Sequence, residues 1–232
     1  MMQYGMPAST TGSKAEVVNA FLRGVYAWMS GGLLLTAAVA WVTVNNLTLL
    51  NFAVNSMIIL ILAELGLVFF LSMRIRQMSP TTAMAAFMGY SALNGLTLSP
   101  ILLIYTQQSI AATFVVTAGM FGIMSLYGLL TKKDLTSWGS LLFMGLIGIV
   151  LASVVNIFLG SSTMSFVISG IGVLLFLGLT AYDTQQLKVM GETAPADGAA
   201  VRKLSIMGAL RLYLDFINLF LFMLRFMGAS RD

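Results

Sequence analysis

The chain contains neither cysteine nor histidine. Their absence excludes disulfides, zinc or haem ligation through sulfur or imidazole, thiol nucleophiles and every Ser-His or Cys-His relay. A metal ion would have to be a hard cation held by oxygen, such as calcium. Charge is scarce too. Only 9% of the 232 residues are Asp, Glu, Lys or Arg, whereas soluble domains carry about 25%. The first twenty residues also lack the basic start, short apolar run and small-residue cleavage site of a signal peptide.

What remains is apolar. Hydrophobic residues make up 59% of the chain and the mean hydropathy is +0.94. Lipid must therefore form part of its solvent. The largest polar pieces, 1–20 and 188–203, are too short to build a core. Residues 1–20 read as a flexible cytosolic tail, and 21–232 as one transmembrane domain. The net charge of +4 does not point to nucleic acid, because the basic residues sit at helix ends and act as topology signals.

A helix needs about 20 apolar residues to cross a bilayer. Seven stretches qualify: 23–44, 53–73, 81–104, 109–130, 138–159, 163–187 and 205–227. The fold class is thus an all-α membrane protein of seven spans. Turn-rich breaks separate them at Asn45-Asn46, Ser79-Pro80, Gln107-Gln108-Ser109, Lys132-Lys133-Asp134 and Gly160-Ser161-Ser162. Lys14 and Arg23, then Arg74 and Arg76, Lys132 and Lys133, and Lys188, Arg202 and Lys203 fall on alternate sides. The loops after spans one, three and five carry no Lys or Arg. This alternation puts the N-terminus in the cytosol and the C-terminus outside. Arg225 and Arg231 fall on the opposite side. Gly119 with Gly122, Gly145 with Gly148, and Gly170 with Gly172 read as helix-packing positions.

Few ionisable residues lie inside the spans: Glu64, Asp183, Arg211, Asp215 and Arg225. A charge at the bilayer centre costs from about 2.5 kcal/mol upward, so each should face a cavity or a partner. Arg211 and Asp215 are four apart on one helix face, which Asn218 continues. They can pair within the helix. Alternatively Asp215 meets Asp183, which follows Tyr182 in the preceding span. Two carboxyls meeting in a low-dielectric site cannot both ionise freely and can share a proton. Counted from the inner ends of the two spans, however, they differ in depth by roughly 10 Å. Helix seven must start deeper, or helix six run longer, for them to meet. Arg225 either pairs with Glu64 or reaches to the outer interface.

Three runs carry a resemblance: Ala92-Leu93-Asn94-Gly95-Leu96-Thr97-Leu98-Ser99-Pro100, Ala181-Tyr182-Asp183-Thr184-Gln185, and Leu212-Tyr213-Leu214-Asp215-Phe216-Ile217-Asn218-Leu219-Phe220. Over nearly its whole length the chain resembles the bacterial branch of the Bax inhibitor family, the transmembrane Bax-inhibitor-motif proteins. The resemblance implies a central seventh helix wrapped by the other six. It implies a pH-sensitive calcium leak channel in a bacterial inner membrane. In such a channel Asp183 and Asp215 are the sensor and the calcium ligands, and calcium is the transported ion, with no cofactor. An arginine at the inner end of helix two, Arg74 or Arg76, latches onto the pair, with Arg74 favoured. Glu64 pairs with Arg225. Apart from the resemblance, the residues themselves make Arg211, Asn218 and Tyr182 supporting candidates. Other bacterial members look like modulators of membrane-protein quality-control proteases. The alternative expectation is therefore a non-transporting regulator of such proteases or of a stress response, with tail 1–20 as the part a membrane protease complex grips. An enzyme is not expected. Two aspartates on neighbouring spans resemble the presenilin-type proteases, but those need Gly-x-Gly-Asp where this chain has Leu212-Tyr213-Leu214-Asp215.

Overall fold

The computed structural model describes residues 11–75, 77–194, 197–229 and 231. Nine helices are seen among them: α1 (Thr11–Val44), α2 (Leu47–Asn55), α3 (Met57–Arg74), α4 (Pro80–Leu98), α5 (Ile101–Ile104), α6 (Gln107–Leu130), α7 (Thr136–Leu159), α8 (Ser162–Glu192) and α9 (Gly198–Met227). Seven segments are long and apolar enough to span a bilayer. They are α1, α3, α4 continued through α5, α6, α7, α8 and α9.

The turn residues read from the sequence act as caps, which satisfy amide groups that a helix end leaves free. Asn46 accepts from the Leu49 amide, Ser79 from Thr82, and Ser161 from Met164. Thr106 and Asp197 do the same for α6 and α9. Gly160 closes α7 at φ 61°, a left-handed conformation that glycine adopts without steric cost. α4 stops at Leu98, just before Ser99-Pro100, because proline lacks the amide a continuing helix would use.

Four boundaries differ from the sequence expectation. Residues 1–10 of the tail lie outside the described residues, and α1 already begins at Thr11. The second span starts at Met57, because residues 47–55 form the separate short helix α2. α8 and α9 both run further than their apolar stretches. The expected glycine contacts also shift. Gly145 meets Leu175 and Gly172 meets Phe222, but nothing lies near a Cβ built on Gly119, Gly122 or Gly148. The closest helix approaches use Gly128, against the Ala181 carbonyl, and Gly95, against the Thr36 carbonyl.

α9 is the most buried of the seven spans and α8 follows it. α9 packs against α1, α4, α6 and α8. Tyr213, wholly buried on α9, stands edge-on to Phe87 and Tyr90 and shares a 2.6 Å hydrogen bond with Thr36. The ring of six helices around the last one is not closed. α3 packs chiefly on α4, and α7 on α8. A cavity lies between α3 and α9 where a direct contact would have been.

Candidate functional site

The register of α8 against α9 decides which polar groups meet. A Cβ on Gly170 would face Phe226, one on Gly172 would face Phe222, and one on Gly208 would face Leu187. The two helices run antiparallel, so Asp183 falls level with the stretch between Arg211 and Asp215. Because α8 reaches Glu192 and α9 begins at Gly198, α9 starts more than a turn beyond the end of α8. This offset removes the depth mismatch of roughly 10 Å counted from the apolar stretches.

Asp183 and Asp215 line the same cavity, close enough that each carboxyl acts on the other. Ionised carboxylates only accept, so a hydrogen bond between the two requires a proton held by the pair. Asp215 is 5% exposed, and its Oδ2 has no partner among the described residues. Arg211 places Nη1 3.9 Å from Asp183 Oδ1. That exceeds the 2.7–2.9 Å typical of a charge-assisted hydrogen bond. Its side chain is also 41% exposed, so solvent screening limits the pair to about 1 kcal/mol or less. Arg211 therefore lies across the pair, on Asp183, without locking Asp215 into an intrahelical bridge. With one shared proton, the group of two carboxyls and Arg211 is neutral. Loss of that proton leaves one net negative charge.

These groups line a cavity of about 530 Å³. α3 contributes Glu64, and α4 contributes Tyr90, Asn94 and Thr97. Asp183 comes from α8, while Arg211, Asp215 and Asn218 come from α9. Asn218 donates its amide to the Leu214 carbonyl and presents the rest of its side chain to this space. Three acceptor oxygens bordering the cavity are buried and unpartnered among the described residues: Glu64 Oε1, Asn94 Oδ1 and Asp215 Oδ2. A site of this size is roomy enough to hold water.

The other expected partners lie elsewhere. Arg74 is exposed and donates to Gln77 at 3.3 Å. In this conformation it is not on the aspartates, and the nearby cation is Arg211. Arg76 lies outside the described residues. Glu64 and Arg225 are not paired. Arg225 is exposed over the Phe222 ring, 5.9 Å from its centroid, while Glu64 turns into the cavity beside Thr97. An exposed guanidinium keeps its hydration there, which a buried bridge would remove. Tyr182 points away from the aspartates and packs against Gly139 on α7. Among the described residues no three Asp or Glu side chains converge to cage a metal ion, so Asp183 and Asp215 offer calcium a two-carboxyl contact only. Asn94, Tyr90 and Thr97 were not singled out as site residues. The available signal was an amide-bearing residue, Asn94, in the middle of an apolar span.

The family model described as inhibitor of apoptosis-promoting Bax1 matches residues 18–232. The chain belongs to this family. It is 54% identical to the inner membrane protein YbhL of Escherichia coli K12, over 91% of this chain and 92% of YbhL. A Borreliella burgdorferi protein is 46% identical, over 96% of this chain and 98% of its own length. The protein RP147 of Rickettsia prowazekii is 44% identical over the whole of both chains. With seven apolar helices, membership of this family makes the chain a bacterial multi-pass inner membrane protein.

Proposed function

We propose that the chain is a pH-sensitive calcium leak channel of the Bax inhibitor type, gated by the Asp183/Asp215 pair. The carrying observation is that carboxyls from two neighbouring helices line one cavity, with Arg211 beside one of them. A hydrogen bond between them needs a shared proton. When both groups ionise, like charges oppose the α8–α9 contact, and the site gains a negative charge that attracts a cation. Arg211 is close enough to soften that change and too exposed to cancel it. Arg74 serves as the latch in a second conformation, in which α3 closes on the cavity. The alternation of basic loops orients the chain with its N-terminus in the cytosol and its C-terminus outside. The basic loops then face the cytosol.

The test is calcium uptake into liposomes holding the purified protein, from about pH 5 to about pH 8. One shared proton allows at most about a tenfold change per pH unit. Asp183→Asn and Asp215→Asn should each flatten this response. Equal pH responses in the wild type and both variants would remove the sensor from the account.

A further inference from the structure

We propose that Glu64, Asn94 and Thr97 form a second cation-binding station, separate from the aspartate pair and lying along the same cavity, whose ligand is partly hydrated calcium. The inference rests on the channel reading for its role in permeation, while its ligand set is drawn from groups that line one cavity and leave buried oxygens unpartnered among the described residues.

Glu64 is an acid within a membrane span and has no cation among the described residues, since Arg225 is turned onto Phe222. An ionised carboxylate left alone at that depth costs at least about 2.5 kcal/mol. It needs either a proton or a mobile cation. The surrounding groups favour the cation. Asn94 is 6% exposed, and its Nδ2 is engaged with the Tyr90 hydroxyl at 3.4 Å. Its Oδ1 is left buried and unpartnered. Thr97 holds its hydroxyl 3.2 Å from the Leu93 carbonyl and beside Glu64. The set is therefore one carboxylate, one amide oxygen and one hydroxyl oxygen. These are hard donors of the kind calcium prefers. A protonated Glu64 could offer its hydroxyl to the Asn94 oxygen, and the terbium titration below separates that state from a bound cation.

Calcium takes six to eight oxygens. Three come from the protein and the cavity has space for the remainder as water. Such a half-hydrated site binds weakly enough to release its ion, as permeation requires. Thr97 is one residue from the end of α4 remote from the basic loops, whereas the aspartate pair lies nearer those loops. The two stations would be occupied in sequence.

The test uses the full chain in lipid nanodiscs and terbium(III), a hard oxygen-seeking ion, with excitation through Tyr90. Wild-type protein should give tyrosine-sensitised emission that calcium reverses. Glu64→Gln should weaken terbium affinity by about tenfold or more, because it removes the only charged ligand of the set. Asn94→Ala should weaken it to a lesser degree. Asp183→Asn/Asp215→Asn should leave it in place. Retained helical circular dichroism and a monodisperse elution profile establish that each variant is folded. Wild-type affinity in both Glu64→Gln and Asn94→Ala would overturn the proposal. Loss of emission in the double aspartate variant alone would do so too, by assigning the ion to that pair. Displacement of terbium by sodium as readily as by calcium would overturn the calcium assignment. Unchanged pH response in the aspartate variants would sink the gating reading while leaving the terbium result intact.

Discussion

Helix α8 turns two unlike surfaces to its neighbours over the same few turns. Toward α6 it offers the Ala181 carbonyl to Gly128 and the Thr184 hydroxyl to Ser125 at 3.4 Å. Toward α9 it offers Asp183 to Asp215 and Arg211. The first surface is closely packed and uncharged. Its closest contact is of van der Waals type, and only the missing side chain of Gly128 allows it. The second surface borders a cavity and carries ionisable groups with few fixed partners. On the proposed reading, stability and switching fall on opposite sides of one helix. Protonation changes on one side can occur while the other holds α8 in place.

Overfilling the packed side should have the largest effect. A Cβ on Gly128 would collide with the Ala181 carbonyl oxygen and lie 3.1 Å from Thr184 Cβ. The obstacle is backbone, which cannot rotate away. Gly128→Val should cost about 3 kcal/mol or more and abolish the monodisperse peak in detergent. Gly119→Ala on the same helix should leave thermal unfolding unchanged, because its Cβ meets nothing within 4 Å. Equal behaviour of the two variants would erase the distinction between a tight face and an open one.

An intermediate effect is expected where polar groups serve packing alone. Tyr213 is two residues before Asp215, yet faces α1 and α4 instead of the cavity pair. Thr36 contacts its hydroxyl at 2.6 Å and also bonds the carbonyls of Gly32 and Ser91. Tyr213→Phe removes one hydrogen bond but leaves Thr36 satisfied. The loss should be about 1 kcal/mol, with the pH response of calcium uptake unaltered. A changed pH response would extend the switch onto the packing side of α9.

Much of this division was legible in the sequence. The seven spans follow from the length of the apolar runs, and the caps follow from Asn46, Ser79 and Ser161 at the breaks. The carboxyl pair was legible as chemistry but not as geometry. Apolar stretches mark where lipid begins, not where helices end, so the extra turns of α8 and α9 that bring Asp183 to Asp215 were hidden. The Glu64–Arg225 pairing failed for a related reason. Opposite charges on neighbouring spans attract only if both give up water, and Arg225 at a helix end is not forced to. Gly128 was overlooked because close approach depends on the partner backbone, which local spacing does not reveal. Asn94 stands within the Ala92–Pro100 run, but its free oxygen depends on where Tyr90 and Glu64 stand.

The smallest effect is expected on the third side of α8, where the helix grips the turn between α6 and α7. Gln185 accepts from the Leu135 amide and donates to the Lys133 carbonyl, each at 2.8 Å. Within that turn, Asp134 Oδ1 accepts from the Thr136 amide at 2.8 Å. The hydrogen bonds from Thr136, side chain and backbone, hold the Asp134 carboxyl below its usual range. A depressed carboxylate adds its stability above its unfolded-state value and loses it as pH falls through the folded value. Asp134→Ala should therefore loosen the turn slightly at neutral pH and have no effect once the medium is acidic enough to protonate the group. Asp134 is fully exposed, and the two Gln185 bonds persist without it, so the change should appear as faster amide exchange at Thr136 with the melting temperature nearly unmoved. A marked drop in melting temperature would mean that this turn, and not the Gly128 contact, fixes α8 against α6.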